Sequence, residues 1–127
     1  MGTHKKVIEQ IKVDLLSKDE KIVKKALIKT RDKGNEQLID SLFELYSTTK
    51  LEHIKDDVRN IFSEIKNKNS LDFILPHLQN KDNDIKELAL YGLWSSAIDM
   101  TDHIPLVIEA ACKGNFMVIL EALTVLE

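Results

Sequence analysis

Residues 78 to 93 read LQNKDNDIKELALYGL, and the fold follows from this stretch. Asp82, Asn83 and Asp84 form a turn whose side-chain oxygens can accept from the free N–H groups of a helix start. After it, Ile85, Ala89 and Gly92 recur at helical rather than strand spacing. Residues 15 to 27, LLSKDEKIVKKAL, align with residues 78 to 90 without a gap at an offset of 63. The alignment pairs Lys18 with Lys81, Asp19 with Asp82, Ile22 with Ile85 and Ala26 with Ala89. Asp57-Val58-Arg59, followed by Phe62 and Ile65, repeats the opening, and Val118, Ala122, Val125 and Leu126 repeat it again. Helix-opening positions at 22, 58, 85 and 118 give steps of 36, 27 and 33 residues, a spacing typical of stacked helix pairs.

The rest of the chain reads as helices between short breaks. Val7, Ile8, Ile11 and Leu15 predict a first helix over 4–16, and Ser17 to Asp19 separates it from a second striped by Ile22, Val23, Ala26, Leu27 and Thr30. Gly34 is placed to end that helix in the left-handed conformation. Asn35 caps a third, with Leu38, Ile39, Leu42, Phe43 and Tyr46 inward; Leu51, Ile54, Val58, Ile61, Phe62 and Ile65 stripe a fourth, which stops at Asn67-Lys68-Asn69. Ser70 caps a short fifth helix with Phe73, Ile74 and Leu78, and a sixth runs from Asp82 to about Ile98. Asp102 opens a seventh, where Pro105 sits in the first turn and its missing N–H costs little. Gly114-Asn115 ends it, and an eighth starts at Phe116. The expected class is all-α, a solenoid of about three and a half helix pairs in a single domain over 1–127, read as the N-terminal part of a longer array.

The pattern Leu78…Asp82-x-Asp84-Ile85-Lys86-x-x-Ala89-x-x-Gly92-Leu93 resembles the HEAT repeat of the armadillo-like family, in which an aspartate-rich turn leads into a helix opening Val-Arg with Ala at +4. Asp57-Val58-Arg59 is similar at its core but has Phe62 where Ala is usual, and the first repeat has Lys29 and Thr30 for the small-Leu pair. The resemblance covers roughly residues 15 to 127. It implies a fold and leaves function open.

Composition excludes several classes. With 43% apolar and 31% charged residues, and only 4 Gly and 2 Pro, the chain suits a folded helical protein and not a turn-dense β architecture. One cysteine, Cys112, allows no internal disulfide and no cysteine-based zinc site; its apolar surroundings, Ile104 to Cys112, predict a buried thiol. No apolar run would cross a bilayer and residues 1–6 lack a signal-peptide core, so no membrane partner is expected and the cytoplasm is the default location. Lys6 stands where a myristoylation pattern wants Ser or Thr. Net charge is −3, unevenly spread: ten basic residues precede Gly34, while Lys113 is the only one after Lys86.

Catalytic signals are missing. His4, His53, His77 and His103 lie in separate segments without ligand-type partners at i, i+4, so neither metal nor cofactor is expected. There is no His-Glu dipeptide of the kind used by HEAT-type hydroxylases, no nucleotide-binding loop and no nucleophile elbow. Asp56-Asp57 and Asp82/Asp84 read as caps and first-turn charges. HEAT-like DNA glycosylases share the implied fold but need a basic concave surface, and here the basic residues gather in the first two helices, so nucleic acid is not an expected partner.

The leading expectation is therefore a non-catalytic interaction module. The second helices of the pairs, 35–46, 70–80 and 102–112, contain no Lys or Arg. In HEAT-like solenoids such helices line the concave side, so the resemblance implies an acidic groove for a protein or basic peptide, carried by Glu36, Asp40, Glu44, Asp72, His77 and Glu109. Short, well-buried helices would produce the same count with no functional meaning. On the sixth helix Leu90, Trp94 and Ile98 lie nearly opposite the core stripe and Tyr91 flanks them, which singles out Leu90, Tyr91 and Trp94. Either a neighbouring element covers Trp94 or the three form an aromatic patch for a partner. The eighth helix is apolar nearly all round, which implies that the array continues or that copies self-associate through it, with Val118 and Val125 on the outer face. Alternatives are an enzyme or cofactor-handling protein on the same scaffold, DNA-glycosylase-like or bilin-lyase-like, or a small bacterial immunity or regulatory protein. A basic groove, or a buried carboxylate beside an aromatic cage, would favour the enzyme; a smooth acidic groove would favour the module.

Overall fold

The computed structural model describes residues 2–33, 35–64, 68–95 and 101–126, with side chains over 5–32, 35–64, 69–95 and 101–126. Among these it is all-helical, with no strand: α1 (Gly2–Leu15), α2 (Glu20–Lys33), α3 (Ile39–Thr48), α4 (Glu52–Ser63), α5 (Leu71–Ile74), α6 (Asn83–Ser95), α7 (Ile104–Lys113) and α8 (Phe116–Leu126). None of these helices is long and apolar enough to cross a membrane. The Gly34 cap, Ile65, Asn67 and the end of the sixth helix at Ile98 lie outside the described residues. The chain divides into two compact units, Met1–Val58 and Arg59–Glu127.

In the first unit α1 packs on α2 and α3. The aspartate turn opens α2 as its sequence requires. Ser17 Oγ accepts from Asp19 N, Asp19 Oδ1 accepts from Lys21 N at 2.9 Å, and the Asp19 carbonyl accepts from Val23 N. Asn35 caps the next segment, its Oδ1 accepting from Gln37 N, and the chain makes one 3₁₀ turn (Glu36–Leu38) before α3. Burial falls on the predicted stripes with two corrections. Ile22, expected in the core, is 39% exposed, because α2 buries one narrow stripe of Val23, Ala26, Leu27 and Thr30 and Ile22 lies just outside it. Leu51 precedes the first turn of α4 and is exposed, so the α4 stripe starts at Ile54.

In the second unit α8 packs on both α6 and α7. The turn before α6 repeats the one before α2: Asn80 Oδ1 accepts from Asp82 N, Asp82 Oδ1 from Asp84 N at 2.9 Å, and the Asp82 carbonyl from Lys86 N. The fifth helix is shorter than expected. Pro76 has no N–H to continue the α pattern, and residues Leu75–Gln79 run on as 3₁₀ helix. Ser70 makes no capping bond; it is buried in helical backbone, which aims its hydroxyl away from the free N–H groups. Cys112 is exposed rather than buried, since α7 turns Val107 and Ala110 inward and Cys112 lies about 200° round from Ala110. Phe62, which stands where the resemblance leads one to expect a small residue, is wholly buried against Gly92: a Cβ at Gly92 would stand 2.9 Å from Phe62 Cδ1. The missing side chain on α6 makes room for the oversized one on α4.

Candidate functional site

Glu87, Tyr91 and Trp94 recur at i, i+4 and i+7 on α6, so they project from one face of the helix. Arg59, on α4, lies over the Tyr91 ring with its Cζ 4.2 Å from the centroid, and its Nη1 donates to Glu87 Oε1 at 2.5 Å. The ring thus helps hold the guanidinium that neutralises the carboxylate. Tyr91 meets Trp94 edge to face at 5.4 Å. Trp94 Nε1–H donates to Glu121 Oε2 of α8 at 2.5 Å, so the indole is fixed while 40% of its surface stays exposed.

The electrostatics of this cluster are unbalanced. Glu87 is 9% exposed, and its Oε2 is buried with no hydrogen-bond partner. Burial pushes the Glu121 carboxyl above its ordinary value, the neighbouring Glu87 carboxylate pushes it further, and the Trp94 bond and Arg59 oppose the shift. Protonated, Glu121 can act as a donor to Glu87. One carboxyl therefore takes the guanidinium and the other the edge of the indole, and Arg59 acts on Glu121 only through its charge.

The structure divides the expected groove residues between the two units. In the first, Glu36 is half-buried in the turn before α3, while Asp40 and Glu44 are exposed one turn apart on α3. Glu44 lines a cleft of about 470 Å³ together with Leu15, Val23, Leu45 and Ile54. Glu20, on the same cleft, pairs with His53 at 2.6 Å and Lys24 at 3.2 Å, and both bonds hold its carboxyl below the ordinary value. In the second unit Asp72 is exposed, His77 is half-buried, and Glu109 is exposed and paired with Lys113 at 2.9 Å. Glu109 lines a smaller cleft of about 280 Å³ with Lys86, whose Nζ donates to the Lys113 carbonyl at the end of α7. Of the expected aromatic patch, Leu90 is wholly buried and belongs to the core; Tyr91 and Trp94 remain.

Sequence reasoning missed Arg59, Glu87 and Glu121. Arg59 reads as part of a repeat opening and Glu87 as one more surface charge. Two signals were present: Glu87 in register with both aromatic residues, and Glu121 as the one charged side chain between Phe116 and Leu126. Among the described residues no three His, Cys, Asp or Glu side chains gather as a metal-holding group. No family model, curated protein or solved structure matches this chain.

Proposed function

We propose that this protein is a non-catalytic interaction module of HEAT-like helix pairs, arranged as a solenoid, that takes a basic segment of a partner protein. The observation that carries the reading is the cluster around Trp94, an exposed indole fixed beside two carboxyl groups and a single guanidinium. A lysine or arginine side chain laid on that indole gains the ring's quadrupole, and draws the Glu121 carboxyl towards its charged form beside it. Asp72, exposed in the same unit, adds to the negative field. The solenoid reading is supported by the two aspartate turns, which repeat three hydrogen bonds at equivalent positions.

A short peptide alternating Arg and Gly is a sufficient probe. Titrating it into the protein should shift Trp94 fluorescence in a saturable way, and the affinity should fall as salt rises. Trp94→Ala should remove about 2 kcal/mol of binding, as central aromatic anchors do. A fluorescence signal unmoved by the peptide, or binding indifferent to both salt and Trp94→Ala, ends the proposal.

One observation favours a second reading, an enzyme on the same scaffold. Glu87 is a buried carboxylate beside two aromatic rings, and Glu121 beside it holds its proton beyond the usual range, as a general acid would. Against it, Arg59 already occupies Glu87 Oε1 and the face of Tyr91, the groups a substrate would need. Release of alkylated bases from DNA by the wild type but not by Glu121→Gln would decide for the enzyme.

A further inference from the structure

α8 has two unlike faces. Val118 and Ala122 are wholly buried and Glu121 is tied to Trp94, so this face packs on α6 and α7. Val118, expected on the outside, is therefore inside, and Val125 is half-buried. The outer face carries Phe116, Met117, Ile119, Leu120, Leu123 and Leu126, all between 40% and 71% exposed, and among them the exposed Thr124, whose hydroxyl donates to the Leu120 carbonyl. Phe116, Leu120 and Leu123 follow one another at i, i+4 and i+7, the spacing that seats one helix on another.

We infer that this face is the interface of a homodimer, in which α8 of one copy packs on α8 of the other. Three observations select a second copy as the occupant. The face carries no charge, since the one carboxylate of α8 points inward, so it gives a charged partner nothing to pair with. It also lacks the like-charge repulsion that would keep two copies of an acidic protein apart. And its area suffices: six large side chains left about half exposed present roughly 500 Å² per copy, so pairing removes roughly 1,000 Å², the size at which specific interfaces begin. A two-fold axis across the middle of α8 makes the contact self-complementary, with Phe116 of each copy near Leu126 of the other.

Sedimentation of the full chain from low micromolar to several hundred micromolar tests this directly. The expected result is a reversible monomer–dimer equilibrium. Leu123→Glu should weaken it by on the order of a hundredfold, because the charge would be buried on pairing. Since Leu123 is exposed in the single chain, helicity and melting of that variant should stay as in the parent. Mixing the Leu123→Glu and Leu123→Lys chains should restore association as a heterodimer, which a merely damaged fold would not do. A monomer at every concentration, or a dimer that survives Leu123→Glu, overturns the inference and leaves the face to another occupant.

Discussion

α2 and α6 start from the same turn and end as different helices. Up to Ala26 and Ala89 the equivalence is close: the same three hydrogen bonds open each helix, and both alanines are buried. Around and beyond them the surroundings diverge. α2 buries one stripe, while α6 buries every residue from Ile85 to Leu90, including Lys86 and Glu87. Where α2 has Lys29, Thr30 and Arg31, α6 has Gly92, Leu93 and Trp94. Thr30 shows how the wetter copy tolerates a polar core position, its Oγ1 donating to the Ala26 carbonyl at 2.8 Å within its own helix. A repeat thus fixes how a helix begins, and the elements packed against it decide how much of it is core.

The largest predicted effect tests that statement at its common point. Ala89→Glu should cost about 4 kcal/mol or prevent folding of the second unit, since the charge has no wet side to turn towards. Ala26→Glu should cost less, about 2 kcal/mol, because exposed positions flank its stripe and the long side chain can reach water. Thermal unfolding of both variants gives the comparison. Equal losses would mean that the two helices are equally enclosed.

Next in size is the pair Gly92 and Lys29, equivalent in the alignment. Gly92→Ala places a Cβ 2.9 Å from Phe62 Cδ1 and should cost about 2 kcal/mol as an overpacked contact. Lys29→Ala, on an exposed position, should change stability by less than about 0.5 kcal/mol. Combining Gly92→Ala with Phe62→Leu should return part of the loss. A Gly92→Ala protein as stable as the parent would show that α4 and α6 are not held apart by this contact.

Trp94 and Arg31 form a third equivalent pair, with smaller expected effects. Trp94→Ala removes the bond to Glu121 and the contact with Tyr91, and should cost about 1 kcal/mol. Chemical denaturation can compare it with Arg31→Ala, whose position is exposed and whose loss should be no more than a few tenths of a kcal/mol. A Trp94→Ala loss of about 3 kcal/mol would make the indole a core residue and weaken its claim as a binding surface.

These contrasts mark what the sequence could reveal. Helix starts were legible because local chemistry sets them: an Asp or Asn one turn before an apolar stripe caps the helix wherever it packs. The stripes of α2 and α3 were legible in period, with only the edge residue Ile22 misjudged. Cys112 was misjudged because an apolar neighbourhood in sequence is not a burial direction. The site around Trp94 was half legible, since its aromatic residues stand out on the α6 wheel. Its charges come from three helices, and Arg59, Glu87 and Glu121 are far apart in sequence. Nothing local says that one guanidinium will pair with Glu87 while Glu121 bonds the indole.

The smallest effect separates the two units by pH. Glu121 has its carboxyl raised by burial and by Glu87, so folding favours its protonated form. The stability it contributes is complete below the unfolded value of 4.5 and is lost as pH climbs through the raised value. Glu20, in the first unit, has its carboxyl lowered by His53 and Lys24, and the sign reverses. Its contribution is present above 4.5 and disappears as pH falls through the lowered value. Hydrogen exchange can follow α8 and α2 separately in one sample, once intrinsic exchange rates are divided out. Between about pH 4 and pH 7 the protection of α8 should decline, by less than about 1 kcal/mol because Glu121 is partly solvated. α2 should instead lose protection at the acid end. Glu121→Gln should flatten the α8 profile, since the amide can donate to Glu87 and accept from Trp94 as the protonated acid does, at any pH. If α8 protection rises with pH, or the decline persists in Glu121→Gln, the shared proton is not what joins α8 to α6.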